Sequence, residues 1–309
     1  MERSGGLAAI GNTPVVRLSR MAGGDCAEVW VKLEAANPTG SYKDRMALAM
    51  IEAAEADGRL RPGQLVVEYT AGSTGSSLAF VCAIKGYPLR VVSSDAFAPE
   101  KIKTMRAFGA DVELVPSPEG VTPDLIPAMR RRAAEIVAET GAFATDQFRN
   151  ADMLTGYRKL GEELLEQLPG PPAISAFCGY IGTAGCFLGV TRALSQKLPV
   201  LHRVAVEPAE SAVLSGGPPG THHIEGGGIG SIPPLLEPAD YDEVIAIGEA
   251  DAFEAARVAA RTEGVFSGPS TGANLAAAIV VARRLGPGHR IVAIAVDSGL
   301  KYLGGHLYT

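Results

Sequence analysis

Short apolar runs alternate with longer amphipathic stretches along the whole chain, and this alternation constrains the fold more than any other feature. The segments at 28–34, 64–69, 89–94, 110–116, 142–145, 173–178, 202–208, 243–248 and 290–297 have the length and apolar content of strands. Between them, helical spacing predicts helices from Asp44 to the stop at Gly58 and over 76–86, 99–109, 122–141, 151–168, 185–197, 250–263 and 271–285. Strands that alternate with helices build parallel sheets covered on both faces. Two sets of strands, divided near residue 148, predict an α/β protein of two three-layer αβα domains with mainly parallel sheets. The irregular stretch 215–234, rich in Gly and Pro, is long enough to be functional rather than a plain connector.

Several function classes fall away. With 309 residues and 47% hydrophobic content the chain can bury real cores, and with aromatics at 6% those cores rest on Ala, Val, Leu and Ile. The formal charge is −6, and the one basic run, Arg130-Arg131-Arg132, reads as a solvated helix face, so no nucleic-acid partner is expected. No segment has the length of a membrane span or of a signal-peptide core, which predicts a cytoplasmic protein with no membrane partner. Cys26, Cys82, Cys178 and Cys186 form no Cys-x-x-Cys pair and are expected to be free thiols. His222 and His223 are adjacent, with no ligand cluster around them, and read as loop histidines; no metal is expected.

One residue breaks a local rule. Asn37-Pro38-Thr39-Gly40 is turn chemistry, Ser41 is an N-cap candidate, and Lys43 then stands in the first turn of a helix. That helix end is positive and disfavours Lys. Most lysines are solvated and do no chemistry. Rule-breaking residues nevertheless concentrate at working sites, and a positive field favours the uncharged, nucleophilic amine. Three loops add to this. Residues 69–77 (YTAGSTGSS) follow a strand, 178–186 (CGYIGTAGC) follow another, and 267–278 (SGPSTGANLAAA) open a helix. Each offers backbone N–H groups and small hydroxyls at a positive helix end, an anion-binding device. Any one alone could be a structural turn. Neither a Walker loop nor a clean G-x-G-x-x-G is present, which disfavours a nucleoside triphosphate or NAD.

The segments IGNTPVVRL (10–18), NPTGSYKDR (37–45), TAGSTG (70–75), GTAGC (182–186), EGGGIGSIP (225–233), GPSTGA (268–273) and DSGLKYL (297–303) occur in order across nearly the whole chain. Together they resemble the cysteine synthase / cystathionine β-synthase family of pyridoxal 5'-phosphate (PLP) enzymes. That resemblance implies fold type II, the tryptophan synthase β-like fold. It implies a smaller mobile domain over 36–148 that carries Lys43 and the substrate-carboxylate loop. Residues 1–35 plus 149–309 would form the larger domain, with the phosphate cup and the pyridine-nitrogen site. Lys43 would form the Schiff base with PLP and act as the catalytic base. Gly182, Thr183, Ala184, Gly185 and Cys186 match the phosphate cup, with Ala184 and Cys186 where Gly and Thr are usual. Ser270 matches the serine facing the pyridine nitrogen, and Ser73 stands where an Asn usually contacts the cofactor's 3'-oxygen. Thr70, Ala71, Gly72, Ser73 and Thr74 match the loop that grips the substrate carboxylate. Gln147 matches a glutamine that reaches the same group, and the loop 225–233, with Gly228, would line the substrate entrance.

The activity so implied is a transferase reaction of amino-acid biosynthesis: β-replacement on an activated serine, O-acetylserine or O-phosphoserine, through an aminoacrylate. The small nucleophile could be sulfide, another thiol or an amine, the last as in diaminopropionate-type synthases. Two alternatives stay open. One is a serine or threonine dehydratase or another β-eliminating lyase. The other is a non-catalytic binding protein, against which Lys43, Thr183 and Ser270 argue. A homodimer is expected from the resemblance. The end at Thr309 predicts no appended regulatory domain, and no heme motif is seen.

Overall fold

The computed structural model describes residues 5–119 and 124–309. In chain order the elements are β1 (Val15–Arg17), β2 (Glu28–Leu33), α1 (Lys43–Ala56), β3 (Val66–Tyr69), α2 (Ser73–Lys85), β4 (Leu89–Ser94), α3 (Pro99–Ala107), β5 (Asp111–Val115), α4 (Leu125–Thr140), β6 (Phe143–Ala144), α5 (Met153–Gln167), β7 (Ile174–Tyr180), α6 (Gly185–Ser195), β8 (His202–Pro208), β9 (Glu243–Ile247), α7 (Glu249–Glu263), α8 (Pro269–Leu285) and β10 (Arg290–Ala295). Thr122 and Pro123, expected to open the fourth helix, lie outside the described residues.

The chain divides into two compact units, residues up to Ile10 with Asn37–Met153, and Gly11–Ala36 with Leu154–Thr309. In the first, strands lie in the order β5-β4-β3-β6, all parallel, with Val66 opposite Leu89 and Phe143. One face of this sheet is sealed by α4, whose Leu125, Met129 and Ile136 pack on Val67 and Val92. Residues 5–9 form a short 3-10 turn close against α2. A Cβ on Gly6 would sit 3.0 Å from the Phe80 ring of α2. That contact explains why residues 5–10 fall with the smaller unit and not, as the family pattern implied, with the larger one.

In the second unit the order is β1-β2-β10-β7-β8-β9. Only β1, a strand absent from the sequence reading, is antiparallel, pairing Val16 with Val31. The remaining pairs are parallel. The core joins Val29, Val31, Ile291, Ala293, Ala176, Val204 and Val206 from the sheet to Ala273, Ala277, Ala278 and Val281 of α8. Each buried Val or Ile contributes about 1.5–3 kcal/mol. The run of alanines lets α8 lie close to its neighbours, and a Cβ on Gly272 would collide with the Ala252 carbonyl of α7 at 1.8 Å.

Two boundary differences move the candidate loops. β7 extends two residues past its expected end, because Gly179 and Tyr180 pair with Ala205 and Val206 of β8. The loop after it therefore begins at Ile181. α8 begins at Pro269, ahead of Ser270, since proline at a first helical position loses no needed N–H. All four cysteines are free thiols; Cys82 and Cys178 are buried. Among the described residues no helix is long and apolar enough to cross a membrane, and no cluster of His, Cys, Asp and Glu could hold a metal.

Candidate functional site

In the smaller unit, Lys43 is the first residue of α1 and is 8% exposed. Its N–H donates to Ser41 Oγ at 3.2 Å, but the N-cap position falls on Tyr42 and not, as expected, on Ser41, because Tyr42 directly precedes the first helical residue. Asp44 follows, fully buried, and its carboxylate accepts the Thr39 N–H at 2.8 Å and the Thr39 hydroxyl at 2.5 Å. An acid in the first turn suits the positive helix end and ties the 37–40 turn to it. The Lys43 ammonium nitrogen lies 5.2 Å from the centroid of the Tyr42 ring. Lys32 shows what a structural buried lysine looks like. Its Nζ reaches Thr13 O at 2.7 Å, Glu163 at 2.7 Å and Gln167 at 2.8 Å within the larger unit.

β3 ends at Tyr69 and α2 starts at Ser73, so Thr70, Ala71 and Gly72 form the turn between a parallel strand and a helix N-terminus. The Gly72 N–H donates to Thr70 Oγ1 at 3.1 Å. A Cβ on Gly72 would meet Lys101 Cδ of α3 at 2.5 Å, and one on Gly75 would meet Met105 and Thr70 at 2.8 Å. A side chain at either glycine would have to push the Lys101 or Met105 side chain of α3 aside. Thr74 and Gln147, expected to share one ligand, are brought together: the Thr74 hydroxyl donates to Gln147 Oε1 at 2.7 Å. Below them lies a residue that sequence reasoning missed. Glu68 accepts from Tyr69 N–H at 2.9 Å, Thr145 Oγ1 at 2.7 Å and Gln147 N–H at 3.1 Å. Burial pushes its carboxyl up from 4.5 to about 7. The signal was an acid inside an otherwise apolar strand, LVVEY.

In the larger unit, the strand order reverses between β10 and β7, and ligands of open α/β sheets bind at the carboxyl ends beside such a switch. The loop leaving β7 there holds Gly182, Thr183 and Ala184, and Gly185 and Cys186 open α6. Ala184 sits in left-handed backbone at φ 65, where a side chain costs roughly 1–2 kcal/mol. The Gly185 N–H donates to Thr183 Oγ1 at 3.4 Å. A Cβ on Gly182 would lie 2.3 Å from Gly226 O, and one on Gly227 would lie 2.3 Å from Ile181 O. The loop 225–228 is thus laid backbone to backbone along the cup, and the Gly228 N–H closes it onto Ile181 O at 3.1 Å. Ser270 is buried at the start of α8, with its Oγ 3.7 Å from where a Gly226 Cβ would stand.

The larger unit holds two further supports that the motifs did not reveal. Pairing between β7 and β10 stops at Cys178 and Ala293. Beyond it, buried Asn274 of α8 bridges the gap, accepting from Tyr180 N–H at 2.6 Å and donating to Ile294 O at 2.9 Å. An amide inside a helix that otherwise reads as Ala, Leu and Val was the visible sign. His222 accepts the Ile224 N–H at Nδ1 (3.2 Å) and faces Gly228 O from Nε2 (2.9 Å), which fixes the tautomer with the proton on Nε2. Gly228, at φ 62, is therefore a turn residue clamped by His222. A cavity of about 770 Å³ lies elsewhere, at the amino ends of β7 to β10, lined by Ser175, His202, Glu243, Arg284 and His289 among others. Parallel-sheet chemistry belongs at the carboxyl ends, where the Gly-rich loops stand, so this cavity is not the candidate site.

The cup fits a phosphate monoester: backbone N–H groups at the positive end of α6 and the Thr183 hydroxyl, with glycines that let the 225–228 loop lie against it. Known proteins were compared with the whole chain. Residues 7–297 match the family described as pyridoxal-phosphate dependent enzyme. The chain is 41% identical over 301 residues to a cysteine synthase of Staphylococcus aureus, covering 97% of this chain and 95% of that one. It superimposes on the crystal structure of O-ureido-L-serine synthase with a TM-score of 0.92 at 34% identity, covering 99% of this chain and 95% of that one. It superimposes on O-acetyl serine sulfhydrylase isoform 3 from Entamoeba histolytica with a TM-score of 0.91 at 33% identity, covering 100% and 92%. The chain belongs to the PLP-dependent enzyme family and, within it, to the cysteine synthase group of fold type II.

Proposed function

We propose that this PLP-dependent β-replacement enzyme takes O-acetylserine and sulfide, releases acetate and forms cysteine, with Lys43 as its catalytic residue. The observation that carries this reading is the lysine itself: nearly buried, first in its helix, and carried in the same compact unit as the 70–74 turn, where the Gly72 N–H donates to Thr70 Oγ1. Lys43 is the amine that would hold the cofactor covalently at rest and, once released by substrate, take the α-proton. The backbone of residues 182–186 would hold the phosphate, and the Ser270 hydroxyl would face the ring nitrogen. A neutral hydroxyl does not protonate that nitrogen, which favours loss of a β-leaving group over transamination. Bound PLP supplies the electron-withdrawing ring that stabilises charge at the substrate α-carbon. Thr70 to Thr74 and Gln147 would orient the substrate carboxylate, and the 225–233 loop would border the way in. The same reading makes the protein a cytoplasmic homodimer, which light scattering tests against twice the chain mass.

The test is product analysis. Purified protein loaded with PLP is given O-acetylserine, O-phosphoserine, serine or threonine, each with and without sulfide. Cysteine from O-acetylserine and sulfide is the expected result. Cysteine from O-phosphoserine alone would move the leaving group, and pyruvate in place of cysteine would make the enzyme a lyase.

A further inference from the structure

Glu68 stands in β3, one residue before its end and just ahead of the 70–74 loop, and has only 2% of its surface exposed. An apolar residue would suit that strand interior better, because desolvation opposes the charged form. Every hydrogen bond it makes is donated to it, from Tyr69 N–H, Thr145 Oγ1 and Gln147 N–H. An ionised carboxylate is acceptor-only, so this is the form the cage is built for. Two of the three donors belong to the 145–147 turn. That turn is strained, since Asp146 sits in left-handed backbone at φ 44. Its product is the placement of Gln147. The Gln147 side-chain oxygen is taken by the Thr74 hydroxyl at 2.7 Å, which turns the amide N–H groups into the free end of the side chain.

We propose that the ionised Glu68 carboxylate is the positioning residue for substrate capture: it holds the 145–147 turn so that Gln147 presents its amide N–H groups to the substrate carboxylate, and protonating Glu68 relaxes that grip. This rests on the reading that Gln147 and the 70–74 loop receive the carboxylate. The charged and titratable neighbours are Asp146, which opposes ionisation of Glu68, and the Tyr69 phenol, on which Arg130 of α4 and Arg149 also act. Burial sets the balance, and the Glu68 proton is exchanged near pH 7.

The test is the dissociation constant of L-alanine, an amino acid with no β-leaving group, read from the visible band of the PLP-loaded enzyme between pH 8 and pH 6. Loss of the ammonium proton of alanine affects every variant alike, so the ratio of variant to wild type isolates Glu68. Glu68→Gln is expected to bind about tenfold more weakly than wild type at pH 8 and to match it at pH 6, because the wild type has by then taken up its own proton. With O-acetylserine the loss should fall on KM and spare kcat. A ratio that stays constant across this range, or a variant equal to wild type at pH 8, overturns the proposal. If Glu68→Gln does not fold, Glu68→Asp must keep the pH dependence because it keeps the charge, and its loss overturns the proposal equally. If Gln147→Ala binds alanine as wild type does, the carboxylate-site reading itself has failed, and that result is separate from any at Glu68.

Discussion

The turn after β3 and the turn after β7 do similar work by different means. Both lead from a parallel strand into a helix N-terminus, and both carry small hydroxyl residues of the kind that suits an anion. The β7 turn is held by uncharged contacts. Gly182 and Gly227 lie against carbonyl oxygens, Ala184 accepts a strained backbone, and Asn274 fills the gap between β7 and β10. The β3 turn instead leans on a buried acid, with Thr145 and Gln147 gathered around Glu68. A cup for a cofactor that stays bound gains from rigidity. A grip on a substrate that comes and goes can use a group whose charge changes. The contrast separates close packing, which is indifferent to pH, from a desolvated carboxylate, which is not.

The largest expected effect tests whether the smaller unit carries the chemistry at all. Lys43→Ala should lower turnover of O-acetylserine by more than about 10³-fold while far-UV circular dichroism stays unchanged, since both nucleophile and base are removed. Turnover near the wild-type rate would end the assignment.

Next comes the acid. Glu68 has a folded value of about 7 against 4.5 for the free side chain. The folded state therefore binds more protons than the unfolded one between these values, and stability from this group rises as pH falls from about 7 towards 4.5. Above 7 the full penalty of burying the charge, about 3 kcal/mol, remains. Glu68→Gln removes the titration, so its stability relative to wild type should increase as pH is raised from 5 to 8, by up to that amount, in urea midpoints read at each pH. A difference that does not change with pH would mean that Glu68 is not a desolvated acid. A change that lowers stability at neutral pH and is nevertheless present is what a functional carboxylate looks like.

The smallest effect belongs to the cup. Gly182→Ala puts a methyl 2.3 Å from a backbone oxygen that cannot swing away. It should cost about 1–3 kcal/mol and speed the loss of PLP on dialysis, with the same penalty at pH 5 and pH 8. A penalty that varied with pH would erase the distinction between the two turns.

Much of the candidate site was legible because the motifs that propose it are short and contiguous. Lys43 announced itself by standing where a helix rejects it, and the three Gly/Ser/Thr loops by their place after strands. The supporting residues were less visible. Glu68, Asn274 and His222 act on partners distant along the chain or on backbone atoms, as Asn274 does in connecting Tyr180 to Ile294. Motif reading has no access to such pairings. Boundaries moved for the same reason. Gly179 and Tyr180 read as loop, but in the fold the pairing with β8 makes them strand. β1 is three residues long and exists only because β2 lies beside it.

By itself, then, the sequence determined the alternation of strand and helix, the parallel sheets, the lysine and the loops, because these depend on periodicity and on local chemistry within a few residues. The tertiary structure decided which unit residues 5–10 join, where β7 ends, which glycines are forced by a neighbouring carbonyl, and that an acid in β3 holds the 145–147 turn. Those outcomes depend on close approach between segments far apart in the chain. Desolvation, steric contact and cross-strand hydrogen bonding act only once those segments have met.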